Sequence, residues 1–153
     1  MKIAMRDRNL LVTALLMVVM SGSAFAELGG GTETVNRDRA RFNATERVTQ
    51  AATHSVHGMQ LASGARMREY VSNSGVVFAV SWESPVRPDL KLLLGSHFEE
   101  YAQAVQTTRQ RRGPVIVRSA GLVVESAGHM RGFVGHAYIP SLMPEGVTAN
   151  DLQ

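Results

Sequence analysis

The 153-residue chain contains no cysteine. That absence excludes disulfide bridges, thiol catalysis and zinc sites built on cysteine. A folded domain of this chain is therefore stabilised by its core alone. Aromatic residues are also few, at 6% of the chain, with a single tryptophan. Beyond residue 26, no apolar stretch approaches the roughly 20 residues that a membrane-spanning helix needs.

The N-terminus has the order of a secretory signal peptide. Lys2, Arg6 and Arg8 precede an apolar run over residues 10–20, and small residues follow it. The run is too short to span a bilayer, and it leads to an alanine-x-alanine cleavage site that ends at Ala26. We therefore expect residues 1–26 to be removed. The mature protein is expected to be periplasmic or secreted, with no membrane span.

Removal of this leader lowers the positive charge of the chain. The whole sequence has a net charge of +3, and the leader carries three basic residues and one acidic residue. The mature part keeps 13 basic and 12 acidic residues, a net charge of +1. Nucleic-acid binding needs a strong basic excess on one face, so we predict no nucleic-acid partner. We interpret the arginines within residues 37–47 and 109–112 as solvated charges.

The apolar pattern downstream predicts a small sheet. Residues 27–53 are interpreted as a flexible or weakly helical arm, because their apolar stripe is thin. Period-two alternation then predicts strands over residues 55–61, 65–72 and 76–83. In the third strand the bulky residues alternate, so one face is expected to pack on the core. These residues are Val76, Phe78, Val80 and Trp82.

A helix follows the strand-breaking prolines at positions 85 and 88. Apolar residues from Leu90 to Val105 recur at helical spacing, which predicts an amphipathic helix of about four to five turns. We expect it to cover the Phe78 and Trp82 face. Residues 115–117 are a short strand candidate, and strands are predicted over 122–126 and 130–139. The fold class is α+β, an antiparallel sheet in the order β-β-β-α-β-β with one long amphipathic helix packed on it. It forms a single domain over residues 54–140, followed by a tail over 141–153.

One tight turn carries the main candidate site. Glu125, His129 and Arg131 are a carboxylate, an imidazole and a guanidinium close enough to bind a polar ligand or to do acid–base chemistry, with Tyr70 as a further candidate. The same residues also suit simple pairing across a hairpin. His97 lies on the apolar stripe of the helix. It is either a pH-sensitive or catalytic imidazole or a partly buried histidine bonded to the backbone.

The sequence predicts no metal site and no cofactor. His54 and His57 are three residues apart, which on a strand directs them to opposite faces of the sheet. No phosphate loop, nucleophile elbow or zinc-protease motif is present. No residue is therefore assigned a catalytic role.

Short motifs along nearly the whole mature chain resemble a known family. They lie at residues 27–30, 68–71, 75–82, 88–90, 94–95, 123–126 and 128–131, and at Phe133. In these motifs the chain resembles the small exported bacterial proteins of domain-of-unknown-function family 2844. The resemblance implies export and a single domain. It implies no reaction, ligand or catalytic residue.

Three functional hypotheses follow. The first is a non-enzymatic periplasmic or secreted module that binds an unknown envelope protein or component. The second is a small-ligand-binding protein or hydrolase-like enzyme that uses Glu125, His129 and Arg131. The third is an envelope assembly factor that docks through residues 37–47. Convergence of the candidate side chains in a pocket beside His97 or His136 favours the enzyme, whereas a flat face with an apolar patch favours binding.

Overall fold

The computed structural model describes residues 28–107, 113–130 and 132–152. The predicted signal peptide, its cleavage site at Ala26 and Arg131 lie outside these residues. Within them, no helix is long and apolar enough to cross a membrane. The elements in chain order are α1 (Thr32–Phe42), β1 (Thr45–Gln50), β2 (His54–Gln60), β3 (Arg66–Ser72), β4 (Val77–Ser84), α2 (Leu90–Leu94), a 3₁₀ turn (Gly95–His97), α3 (Phe98–Thr107), β5 (Val115–Arg118), β6 (Val123–His129), β7 (Gly132–Tyr138) and two further 3₁₀ turns (Pro140–Leu142 and Ala149–Asp151).

The seven strands form one antiparallel sheet in the order β1-β2-β3-β4-β7-β6-β5. The first four strands are sequential neighbours. After β4 the chain leaves the sheet through α2 and α3, and it returns at the far edge as β5. The last three strands then run back towards β4, so that β7 closes the sheet beside it. The α+β class is confirmed, but the predicted strand count and order are wrong.

The two additional strands are the two edges of the sheet. β1 lies within the segment interpreted as an arm, and β5 is the short candidate that the predicted order left out. The β1 sequence, Thr-Glu-Arg-Val-Thr-Gln, is almost entirely polar, and five of its six residues are exposed. An edge strand of this kind has no apolar alternation for sequence reasoning to detect, because it buries little.

One face of the sheet, which we call the helix face, holds the main core. Met59, Met67, Val80, Trp82 and Val124 belong to it and are all buried. The helical residues that pack against them are Val35, Phe42, Leu90, Leu93, Leu94, Phe98, Tyr101 and Val105. The predicted apolar stripe is therefore confirmed. Burying each large side chain contributes about 2 kcal/mol, so this layer is a major source of stability.

The predicted long helix is one helical run over residues 90–107, but it is interrupted. Gly95 has a positive φ of 54°, which ends α2 and begins the 3₁₀ turn. Asp89 caps the start of the run, because its side chain accepts hydrogen bonds from the backbone N–H groups of Lys91 and Leu92. The cap satisfies two of the amide donors that a helix start leaves open.

The opposite face, which we call the tail face, holds a second and smaller cluster. Tyr70, Phe78 and Ala79 are buried there beneath Leu152, which is only 2% exposed. The expectation that Phe78 faces the helix is wrong. The register between β3 and β4 shifts at Tyr70/Val71, so Phe78 is an extra residue that has no partner in β3. A β-bulge of this kind reverses the alternation, and it sends Phe78 to the face opposite Val80 and Trp82.

Candidate functional site

Glu125 lies on the tail face in a row that crosses four strands. His136 is its cross-strand neighbour, and Ser81 lies on the other side of His136, with Arg68 beyond it. The Glu125 carboxylate forms an ion pair with Arg118 on β5 at 2.5 Å. Burial lowers the pKa of His136, and the nearby Glu125 charge opposes that shift. The imidazole Nε2 is buried and has no hydrogen-bond partner among the described residues.

Tyr70 shares the tail face but not the position of Glu125. Its ring packs against His54 and Phe78, with ring centroids 6.2 and 6.1 Å apart respectively. Its hydroxyl lies 3.4 Å from the Ser81 hydroxyl. Tyr70 is only 2% exposed, so it belongs to the second core cluster.

The rest of the predicted trio is not assembled by the described structure. His129 pairs through its backbone with Gly132 in the hairpin between β6 and β7, and its side chain lies outside what the structure describes. Arg131 lies outside it as well. The hydrolase-like hypothesis therefore stays a prediction, supported only by the position of Glu125 beside His136.

His97 is remote from that row. It ends the 3₁₀ turn on the helix side, and its Nδ1 lies 3.7 Å from the Glu100 carboxylate. The side chain is 27% exposed, so the imidazole is not held in a dry pocket. The side chain is partly buried, and its described partner is the Glu100 carboxylate one turn along the helix. Both alternatives for His97 stay predictions.

The structure separates His54 and His57 as their spacing predicts. His57 lies on the helix face, where Nδ1 is 2.8 Å from Glu46 and Nε2 is 3.1 Å from Ser55. His54 lies on the tail face against Phe78, with ring centroids 5.6 Å apart. Across residues 28–107, 113–130 and 132–152, no group of three or more His, Asp and Glu side chains is placed to hold a metal ion.

The sequence analysis did not predict that the carboxyl group of Glu69 would be fully buried. Glu69 is 0% exposed, and neither carboxyl oxygen has a hydrogen-bond partner within the described residues. Burial raises the pKa of Glu69 to about 8, and the charges of Asp38 and Glu46 add to the increase. The sequence did contain a signal. Glu69 alternates with Met67 and Val71, so a core-facing strand position is occupied by an acid.

An apolar pocket lies on the helix face, and we call it the Trp82 pocket. It has a volume of about 160 Å³ and lies between the end of α1, the start of β3, the end of β4 and α2. Its apolar walls are Phe42, Leu61, Ala65, Met67, Trp82, Val86, Pro88, Leu92 and Leu93. Such a volume compares with an apolar cavity of about 150 Å³ that stays dry and binds benzene.

Trp82 forms one wall of this pocket and is held against a glycine. A Cβ atom on Gly135, its cross-strand partner in β7, would lie 2.5 Å from Trp82 Cζ2. Only a residue without a side chain leaves room for the indole there. The indole Nε1–H is buried and has no hydrogen-bond partner in the described part of the chain. The protein leaves this donor unsatisfied beside an apolar cavity, which is costly.

The rim of the pocket is polar. Arg66, Arg87 and Asp89 contribute to it, together with Ser63 and Ser84. Asp89 is engaged as the helix cap. Val86, also at the rim, is 61% exposed, so an apolar surface leads from solvent into the cavity. An apolar cavity with a few polar groups at its mouth is the usual form of a small-molecule site.

Sequence reasoning missed this pocket because its walls come from three separate stretches of the chain, at residue 42, residues 61–67 and residues 82–93. Phe42 ends α1, Leu61 and Ala65 flank the turn between β2 and β3, and Leu92 belongs to α2. Each residue fits an ordinary core position in its own segment. The one indication of the pocket in the sequence is the single tryptophan. It becomes informative only when the β4–β7 pairing places Gly135 opposite Trp82.

Comparison with known proteins extends the family resemblance and adds no activity. No curated protein and no solved structure matches the chain. A family model with the description "Protein of unknown function (DUF2844)" matches residues 24–152. This match covers most of the chain and confirms the resemblance seen in the sequence motifs. The chain belongs to this family of proteins of unknown function.

Proposed function

We propose that this protein is an exported, non-enzymatic module that binds a small and mainly apolar ligand in the Trp82 pocket. The observation that carries the proposal is the pocket itself: an apolar cavity of about 160 Å³ beside a buried indole N–H without a partner. No catalytic role is assigned to any residue, and an envelope component is the expected source of the ligand or partner.

The pocket favours an apolar guest for a physical reason. Its walls are side chains that bind water poorly, so an apolar group gains about 25 cal/mol for each Å² that it removes from water. Trp82 and Phe42 offer aromatic surfaces, which favour aromatic partners in stacked or edge-on contact. A ring of benzene size therefore matches the volume and the chemistry of the walls.

Binding is testable with benzene, because Trp82 is the only tryptophan and reports on the pocket alone. We expect saturable benzene addition to change the Trp82 emission and to raise the melting temperature. Leu92→Gln places an amide in the wall of the pocket and is expected to weaken binding strongly. Ile116→Gln on edge strand β5, where the residue is 45% exposed, is the matched control. Unchanged emission on a folded protein would contradict the proposal.

Export requires its own experiment. The basic start, the apolar run and the cleavage site that ends at Ala26 support it. N-terminal sequencing of the protein purified from its native cells is expected to begin at Glu27 in an envelope or secreted fraction. An intact Met1 on a cytosolic species would contradict export and leave the binding proposal standing.

The other hypotheses have narrower support. A role in envelope assembly predicts that immobilised mature protein captures an envelope component through residues 37–47. Within that segment α1 exposes Arg37 and Arg41 on its outer surface. If both arginines are replaced by Gln and capture is unaffected, that docking role is wrong.

A further inference from the structure

A second pocket adjoins the Trp82 pocket, and its lining is more polar. It has a volume of about 340 Å³ and is lined by Gly64, Arg66, Glu83, Ser84, Pro85, Gly132, Phe133 and Val134. Arg66 and Ser84 line both pockets. The two cavities therefore share these two residues, which lie at the start of β3 and the end of β4.

Arg66 is the cation at this junction, and its present partners hold it weakly. Its guanidinium lies 3.1 Å from the Glu83 carboxylate and 3.3 Å from the Gln60 amide oxygen. The side chains of Arg66 and Glu83 are 58% and 57% exposed. Exposed ion pairs of this kind are weak, because water screens their charges. A ligand can therefore replace Glu83 at little cost, and Glu83 can turn into solvent.

Arg87 is a second cation at the same mouth. Its charge lowers the pKa of the partly buried Tyr101 against the larger effect of burial, and it forms no ion pair with a carboxylate of the described residues. The acid on the rim of the Trp82 pocket, Asp89, accepts hydrogen bonds from two backbone N–H groups of α2. Glu83 is paired with Arg66, so Arg87 is the charged rim residue that has no ion pair among the described residues.

We infer that the ligand of this site is a small anionic amphiphile, with a benzene-sized apolar group in the Trp82 pocket and a carboxylate or phosphate head at Arg66. This inference rests on the proposed function, and it adds the charge and the orientation of the ligand. Guanidinium groups suit such heads because their N–H groups form a planar fork that matches two anionic oxygens. The head lies at Arg66, which lines both pockets, and Arg87 lines the same Trp82 pocket.

Three probes with the same apolar part and different head groups separate the contribution of the head from that of the apolar part. They are 3-phenylpropanoate, 3-phenylpropan-1-ol and 3-phenylpropylammonium, each titrated into the protein while Trp82 emission is followed. We expect the carboxylate to bind about fivefold more tightly than the alcohol, and the ammonium to bind most weakly. 3-Phenylpropyl phosphate in a fourth titration distinguishes a phosphate head from a carboxylate head.

Two variants test the role of Arg66 directly. Arg66→Gln is expected to lower the affinity for 3-phenylpropanoate more than the affinity for the alcohol, which removes the preference for the carboxylate. Glu83→Gln removes the competing carboxylate and is expected to increase the affinity for 3-phenylpropanoate. Arg118→Gln, which removes another exposed arginine on the far edge strand, is the control and is expected to leave every probe unaffected.

The outcomes separate this inference from the function on which it rests. If the alcohol binds as tightly as the carboxylate and Arg66→Gln changes neither affinity, the inference is overturned and the apolar site stands. Tightest binding of the ammonium also overturns it. If none of the probes changes Trp82 emission on a folded protein, the proposed function itself fails.

Discussion

Glu69→Gln is expected to change how the stability of the protein depends on pH. The Glu69 side chain is fully buried near the charge of Asp38, a buried residue of α1, and its oxygens have no hydrogen-bond partner among the described residues. Its cross-strand neighbour His57 is engaged by Glu46 and Ser55 and does not neutralise it. Burial, followed by the charges of Asp38 and Glu46, raises the pKa of Glu69 to about 8.

The sign and size of the effect follow from proton linkage. The unfolded chain loses this proton near the ordinary pKa of 4.5, whereas the folded chain keeps it to about pH 8. Between these values the folded state binds more protons, so the free energy of unfolding falls as pH rises. At about 1.4 kcal/mol for each pH unit, the total loss approaches about 5 kcal/mol by pH 8.

Denaturant unfolding at a series of pH values from about 5 to 9 measures this dependence. Gln carries no proton to lose, so Glu69→Gln is expected to match the unaltered protein near pH 5 and to be more stable above pH 8. Glu99→Gln is the matched control, because Glu99 is exposed on α3 and accepts a hydrogen bond from Gln103. Parallel pH profiles for the unaltered protein and Glu69→Gln would refute the reasoning.

Three further changes test other parts of the structure. Gly135→Ala places a Cβ atom 2.5 Å from Trp82 Cζ2, so we expect the free energy of unfolding to fall by about 1–3 kcal/mol and the Trp82 emission to change. An unchanged emission spectrum would show that the indole does not pack against this glycine. Leu152→Ala uncovers Tyr70 and Phe78 and is expected to lower the free energy of unfolding, measured with denaturant, by about 2–5 kcal/mol. A change near zero would mean that the C-terminal segment does not cover the tail face. Burial lowers the pKa of His136 below 6.5, so the unfolded chain takes up the proton first as the pH falls, and the free energy of unfolding decreases below pH 6.5. His136→Gln should reduce this decrease. An unchanged dependence of stability on pH below 6.5 would be the contrary result.

Local periodicity was sufficient for the elements that bury one continuous face. β2, β3 and the helical run over residues 90–107 all lie where the apolar alternation or the helical stripe predicts them. The stripe from Leu90 to Val105 packs on the core because its spacing matches the helical repeat. The cap at Asp89 is local in the same way, since its side chain accepts hydrogen bonds from residues two and three positions further along the chain.

Local periodicity failed where a strand lies at an edge or slips by one residue. The edge strand β1 is polar, and no pattern within it indicates a partner. The bulge at Phe78 depends on how β3 pairs with β4, because one extra residue reverses the face of everything beyond it. Neither feature is contained in a short window of sequence.

The amino-acid sequence alone determined that the chain begins with the pattern of an export signal, that it lacks thiol chemistry, and that it folds as an α+β domain of a recognisable family. Those properties depend on composition and on residues that are near neighbours in the chain. Only the tertiary structure decided that Trp82 rests on Gly135 as the wall of an apolar cavity, and that Arg66 stands between two pockets. It also decided that Glu69 is fully buried near two other acids, Asp38 and Glu46. Each of these arrangements joins residues from distant segments, and the long-range strand pairing that brings them together is a property of the whole folded sheet.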